Sequence, residues 1–240
     1  LILAAATLPL ITIGGLVTAF HAGLAVPDWP QSYGYNMFLF PLSMMQKNEG
    51  NFFEHSHRLM GALVGATCLA LAFYQSIAAR RPWLKALPWI IGCAIAFQAW
   101  LGGARVYDKS TILAVVHGIF AQLVFAAMAA QVVLNMRSFA AARIKKDPGA
   151  LTDHLLTVAL VALLVIQLTL GSLLRHENAM LMVHITMAVF VLLAALACGV
   201  RAWGLHGELR PLRRAGIAVL IVVLLQVTLG VIAVLVRVGP

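Results

Sequence analysis

Seven blocks of apolar residues, each near the length that crosses a bilayer, constrain this chain more than any other feature. They run at about 1–20, 54–79, 86–104, 112–136, 151–174, 180–203 and 215–236. A helix rising 1.5 Å per residue needs roughly 20 apolar residues to cross ~30 Å of hydrocarbon. Inside lipid every backbone polar group must be bonded within the protein, which leaves helices or a closed barrel. The blocks lack the strict alternation of a barrel strand. The expectation is therefore an all-α polytopic membrane protein. Composition agrees: 62% of residues are hydrophobic and 10% are charged. A soluble domain is about a quarter charged, and a disordered chain is poorer in apolar residues.

The net charge is +9. In a soluble protein that would point to nucleic acid. Here the basic residues cluster in short connections after the second, fourth and sixth blocks, so no nucleic-acid partner is expected. Arg80, Arg81, Lys85, Arg137, Arg143, Lys145, Lys146, Arg201, Arg210, Arg213 and Arg214 make eleven of the 17 Lys and Arg. The positive-inside rule places 80–85, 137–148 and 204–214 in the cytoplasm and the long connection 21–53 outside. That connection holds Pro27-Asp28-Trp29-Pro30 and Tyr33-Gly34-Tyr35-Asn36 before an apolar stretch, Met37 to Met45. It reads as an ordered cap with an interfacial segment. Cys68, Cys93 and Cys198 all lie inside apolar blocks, as small fillers, and no structural disulfide is expected.

The blocks repeat. The third, fifth and seventh carry Gln98-x-x-x-Gly102, Gln167-x-x-x-Gly171 and Gln226-x-x-x-Gly230, and the first a looser Ile11-Thr-Ile-Gly14. The second, fourth and sixth each start near a histidine: His57, His117 and His184. His57 and His184 are 127 residues apart, and Gly102 and Gly230 are 128 apart. Two features at offsets within one residue of each other imply a duplicated four-helix unit. The expected architecture is two pseudo-symmetric four-helix bundles: residues 1–136, a linker at 137–150, and an incomplete second half at 151–240. An offset of 128 from His117 falls at position 245, so the repeat places an eighth span and a fourth histidine beyond Pro240.

Glu54-His55-Ser56-His57-Arg58 is the most informative stretch. Ionisable side chains at membrane depth cost several kcal/mol unless paired or used. Glu54, His57, Gly61 and Gly65 share a helical face by spacing. A histidine above a glycine track can hold a metal while a planar macrocycle approaches the flat helix. Gly61-x-x-x-Gly65 is also an ordinary helix-packing motif. Three histidines at one depth on alternate spans read as axial ligands of haem iron: His57 with His117 in one unit, His184 in the other. Zinc wants three or four convergent ligands, which the spacing does not supply. Arg58, Arg105 and Arg175 stand near external ends, where they either pair with haem propionates or snorkel to the interface. His154 and His206 read as solvated.

At Glu54-x-x-His57-Arg58, with Gly14-Gly15, the Pro27-Asp28-Trp29-Pro30 loop, Leu101-Gly102-Gly103-x-Arg105 and His117, the chain resembles the haem A synthase family over nearly its whole length. The resemblance implies eight membrane helices in two halves, each with a histidine pair for haem. The N-terminal half would take haem O as substrate, and its C8 methyl group would be oxidised to the formyl group of haem A. The C-terminal half would hold haem b as cofactor. By motif, Glu54 matches the essential acid, His57 and His117 the first-half histidines, and His184 a second-half ligand. Many members carry a Cys pair in the outer loops, which this chain lacks.

The function so implied is oxidation of haem O to haem A for terminal oxidase assembly, in a bacterial cytoplasmic or mitochondrial inner membrane, with the haem sites near the external face. Haem O synthase and terminal oxidase assembly factors are the implied partners, besides lipid; self-association stays open. Two other readings use the same histidines. One is a haem b electron-transfer protein exchanging electrons with quinone. The other is a non-catalytic haem-delivery scaffold. A carboxylate one turn from the ligand favours the enzyme, because electron transfer alone does not need it.

Overall fold

A computed structural model describes residues 1–136 and 148–238. They form helices α1 (Ile2–Ala19), α2 (Leu42–Met45), α3 (Glu49–Ala78), α4 (Pro82–Asp108), α5 (Thr111–Leu134), α6 (Ala150–Glu177), α7 (Leu181–Gly204) and α8 (Arg210–Val238), with a 3₁₀ turn at Met37–Leu39. All but α2 are long and apolar enough to cross a membrane. The protein is an all-α integral membrane protein, as the apolar blocks require.

Local chemistry sets the helix ends. Asn48 accepts a hydrogen bond from Asn51 N at 2.7 Å and starts α3 at Glu49. This is five residues before the boundary read from hydropathy. Glu54 and His57 therefore sit in the second and third turns, with residues 49–53 as a further turn of helix before them. Ser110 caps α5 through Leu113 N at 3.2 Å, and Pro82 occupies the first turn of α4, where its missing N–H costs nothing. Lys109 and Asn178 end α4 and α6 in the left-handed conformation (φ 47° and 57°), making tight turns into the next helix.

The chain divides into two compact units, residues 1–141 and 142–240. Most of the expected linker, including Arg137, Arg143, Lys145 and Lys146, lies outside the described residues. In the first unit α3 packs on α1 and α4, and α5 packs on α4 and closes against α1. Leu3, Val64, Cys68, Ile91, Val124 and Met128 form its core. An amide chain ties the ends of α3 and α5: Gln131 Nε2 donates to Gln75 Oε1 (3.1 Å), and Gln75 Nε2 to Asn135 Oδ1 (3.0 Å). Cys68 and Cys93 are free thiols, as is Cys198 in the second unit.

In the second unit α7 packs against both α6 and α8. Small residues let backbones touch there: a Cβ on Gly216 would lie 2.6 Å from Gly199 O. His206, read from sequence as solvated, is instead 2.8 Å from Asp153 Oδ2, while Arg201 Nε holds Oδ1 at 2.6 Å. These bonds join the start of α6 to the end of α7 at the basic end of the unit. Single cysteines placed at Arg81 and Leu209, in a background lacking the native three, are expected to resist an impermeant thiol reagent in intact cells. One at Gln46 should label. Labelling at Arg81 and Leu209 with protection of Gln46 would invert the topology.

Candidate functional site: facing histidines in a helical bundle

His57 on α3 and His117 on α5 face one another inside the first unit. Their ring centroids are 6.5 Å apart and the planes are inclined by 69°. Metal–imidazole bonds are ~2 Å each, so two imidazoles on opposite sides of one iron would place their ring centres about 6 Å apart. The observed separation fits that arrangement.

Each ring lies on a glycine. A Cβ on Gly14 of α1 would come 2.9 Å from His57 Cε1 and 3.3 Å from its Nδ1; one on Gly102 of α4 would come 3.1 and 3.5 Å from the same atoms of His117. Both Nδ1 atoms are buried without a hydrogen bond of ordinary geometry. The backbones of Leu10 and Gln98, four residues before each glycine, are the acceptors within reach. A metal-binding imidazole usually donates its remote N–H to a group of this kind. Among the described residues no three His, Cys, Asp or Glu converge on a metal position. A metal held by two histidines needs its remaining ligands from elsewhere, as a porphyrin supplies them. On the same helix as His57, a Cβ on Gly61 or Gly65 would meet nothing within 4 Å. These glycines face open space and are not helix-packing contacts. The residues present therefore fit a haem.

The second unit repeats the contact. Gly171 of α6 stands 3.1 Å (as a Cβ) from His184 Cε1, and His184 Nδ1 is likewise buried without a partner. One difference separates the units. Gln98 Nε2 donates to the backbone carbonyl of His117 at 3.0 Å, whereas Gln167 Nε2 meets the ring Nε2 of His184 at 3.2 Å.

Glu54 lies on the turn before His57, 4% exposed, and both its oxygens are engaged. Oε2 accepts from Val26 N at 2.9 Å and Oε1 from Arg58 Nη2 at 2.7 Å. Arg58 also donates to three loop carbonyls: Asp28 (2.6 Å), Gln31 (2.8 Å) and Val26 (3.0 Å). The pair thus holds residues 26–31 over the N-terminal end of α3. Asp28 closes the turn beyond by accepting from Tyr33 N and Gly34 N. The expected ordered cap is present, and Arg58 is a clamp on it. Arg105 is placed differently: its guanidinium packs on Gly23, where a Cβ would come within 1.7 Å of Nη2, and its charge reaches His57, His117 and Glu54. Arg175 is exposed in the last turn of α6.

Some contacts of the cap had no signal in the sequence. His55, 2% exposed, has Nδ1 at 3.1 Å from Ser32 Oγ and packs on Phe40. The Trp29 ring lies on Gly103, where a Cβ would come within 2.4 Å, and Tyr107 OH donates to Trp29 O. The paired glycines at 102 and 103 thus serve two sides of α4: the first receives His117, the second the cap.

The fold and site define a polytopic helical membrane protein with paired imidazoles facing across the inside of a bundle. More particularly, the chain belongs to the COX15-CtaA family of cytochrome oxidase assembly proteins, whose family model matches residues 1–185. The match ends one residue after His184, so it takes in all three histidines. No curated protein and no solved structure matches the chain. Membership carries a role in cytochrome oxidase assembly.

Proposed function

We propose that this protein is a haem A synthase, converting the C8 methyl group of haem O to a formyl group. The observation that carries the reading is the facing pair His57 and His117 beside the open glycine face of α3. We assign haem O to residues 1–136, between those histidines, with Gly61 and Gly65 along the macrocycle. We assign a haem b to the second half, with His184 as one ligand. Arg105 is suited to a propionate in the first half, because its charge already lies beside the histidine pair; Arg175 takes that role in the second. Arg58 orders the cap. The membrane is a bacterial cytoplasmic or mitochondrial inner membrane, and the sites lie toward its external side, where the cap is. Haem O synthase and oxidase assembly factors are the proposed partners.

Haem when bound supplies iron redox chemistry; the protein's own residues supply geometry and proton handling. His57 and His117 would hold the haem between α3 and α5. The Glu54 carboxylate, one turn outward from His57, is the proton-handling group nearest that side of the site. It is held in place by Val26 N and Arg58 and is 4% exposed. Glu54→Gln keeps size and the acceptor toward Val26 N, weakens the bond to Arg58 and removes the titratable proton. Membranes carrying this variant are expected to retain normal haem content but to stop converting added haem O before the aldehyde, as read by extraction and chromatography. Haem A formation at the wild-type rate would remove Glu54 from the chemistry. If the unsubstituted protein binds haem O and yields no haem A, the electron-transfer or delivery reading takes its place.

A further inference from the structure

The same contact occurs three times: each site histidine lays its Nδ1–Cε1 edge on a glycine of the preceding long helix. The pairs are His57 on Gly14, His117 on Gly102 and His184 on Gly171, and a Cβ at each glycine would come 2.9, 3.1 and 3.1 Å from Cε1. In each case the ring also reaches the backbone of the residue four positions before the glycine: Leu10, Gln98 and Gln167. Helix geometry explains why these belong together. A helical Cβ tilts toward the N-terminus and overlies the preceding turn. The carbonyl of residue i−4 spends one lone pair on the N–H of residue i and has a second to offer. Removing the Cβ at i opens that second lone pair to a side chain from the next helix.

We infer that Gly14, Gly102 and Gly171, with the carbonyls of Leu10, Gln98 and Gln167, are imidazole seats that position His57, His117 and His184. The seat takes the Nδ1–H of the ring, which fixes the tautomer with its lone pair on Nε2; at His184 the Gln167 amide Nε2 stands 3.2 Å from that atom. The inference rests on the haem-ligand reading of the three histidines. Close packing of helices is the competing account of a glycine in a membrane span. It predicts backbone or aliphatic neighbours, as at Gly216, where the atoms met are Gly199 O, Trp203 N and Ala202 Cβ. At Gly14 and Gly102 the three nearest atoms of other elements belong to the imidazole, and at Gly171 so do the two that come within 4 Å.

The test uses the purified holoprotein. Gly102→Ala and Gly171→Ala are compared with Gly204→Ala, where a Cβ meets nothing within 4 Å, and with His117→Ala. The readouts are haem retained per chain on titration and the low-spin ferric electron paramagnetic resonance spectrum. The seats predict about 10- to 100-fold weaker haem affinity, or shifted g-values where haem remains, for the two seat variants and neither change for Gly204→Ala. Unchanged affinity and g-values in Gly102→Ala and Gly171→Ala overturn the seats. Unchanged haem in His117→Ala instead overturns the ligand assignment beneath them. Should Gly102→Ala fail to accumulate, the double variant Gly102→Ala/His117→Ala decides. A glycine acting through the ring lets the double accumulate as well as His117→Ala alone, and continued loss shows a packing role and overturns the seat.

Discussion

Arg58→Leu is expected to destabilise the first unit by about 3–5 kcal/mol, the cost of leaving one partner of a buried ion pair uncompensated. The pair is well inside the range where that figure applies, because the Arg58 and Glu54 side chains are 8% and 6% exposed. The loss also orphans the carbonyls of Val26, Asp28 and Gln31, which Arg58 alone gathers to the end of α3. The cap should detach before the helices separate. The expected signature is faster proteolysis at residues 26–33 and a lower thermal midpoint in detergent, with helix content retained. Arg58→Lys should recover only part of this, since one ammonium cannot span the fork of bonds that the guanidinium makes. Arg58→Leu/Glu54→Leu should be less damaged than Arg58→Leu, because no buried charge is then left unpaired. An Arg58→Leu protein with the wild-type midpoint and cleavage pattern would show that the clamp contributes nothing.

His57→Ala and His117→Ala are each expected to abolish bis-histidine low-spin haem in the first unit while leaving the helical bundle folded. The two halves of this expectation have separate grounds. Spectroscopic loss follows from the 6.5 Å facing geometry, in which neither imidazole has a substitute nearby. Retention of the fold follows from where the packing lies: the core of the first unit, Leu3, Val64, Cys68, Ile91, Val124 and Met128, contains neither ring. Absorption and paramagnetic resonance spectra, with circular dichroism for helix content, check both. Two variants with unchanged low-spin bands would end the assignment, and so would unfolding of both with haem ligation intact elsewhere.

A tension between these results concerns Glu54. Spacing alone puts it on the His57 face, and that is the ground for giving it a proton-handling role. In the folded chain its two oxygens are spent on Val26 N and Arg58. Positioning and chemistry are separable by substitution: Glu54→Gln keeps acceptor geometry toward Val26 but weakens the bond to Arg58. A structural role alone would lower activity only in step with the midpoint and cap proteolysis, as in Arg58→Leu; a proton-handling role stops product formation in the protein that remains folded.

The spans, their number and the all-α class were legible in the sequence, because the requirement behind them is local. A segment must satisfy its own backbone in lipid over a set length, and hydropathy along the chain reports that directly. The recurrence of histidine and glycine was legible for the same reason, as a count along the chain. Which glycine serves which histidine was not. That pairing depends on how each helix is rotated about its own axis, and only packing within the bundle decides that rotation: Gly102 turns to His117, and its neighbour Gly103 turns to Trp29. The start of α3 at Glu49 escaped hydropathy because a side-chain cap at Asn48 set it, in a polar stretch with no apolar signal. His55 with Ser32, Arg58 with three loop carbonyls, and His206 with Asp153 join residues 23 to 53 apart. Such pairs leave no periodicity, because an irregular loop or a distant helix end brings them together. Composition and period therefore determine what crosses the membrane, and tertiary contacts decide what each polar side chain inside it faces.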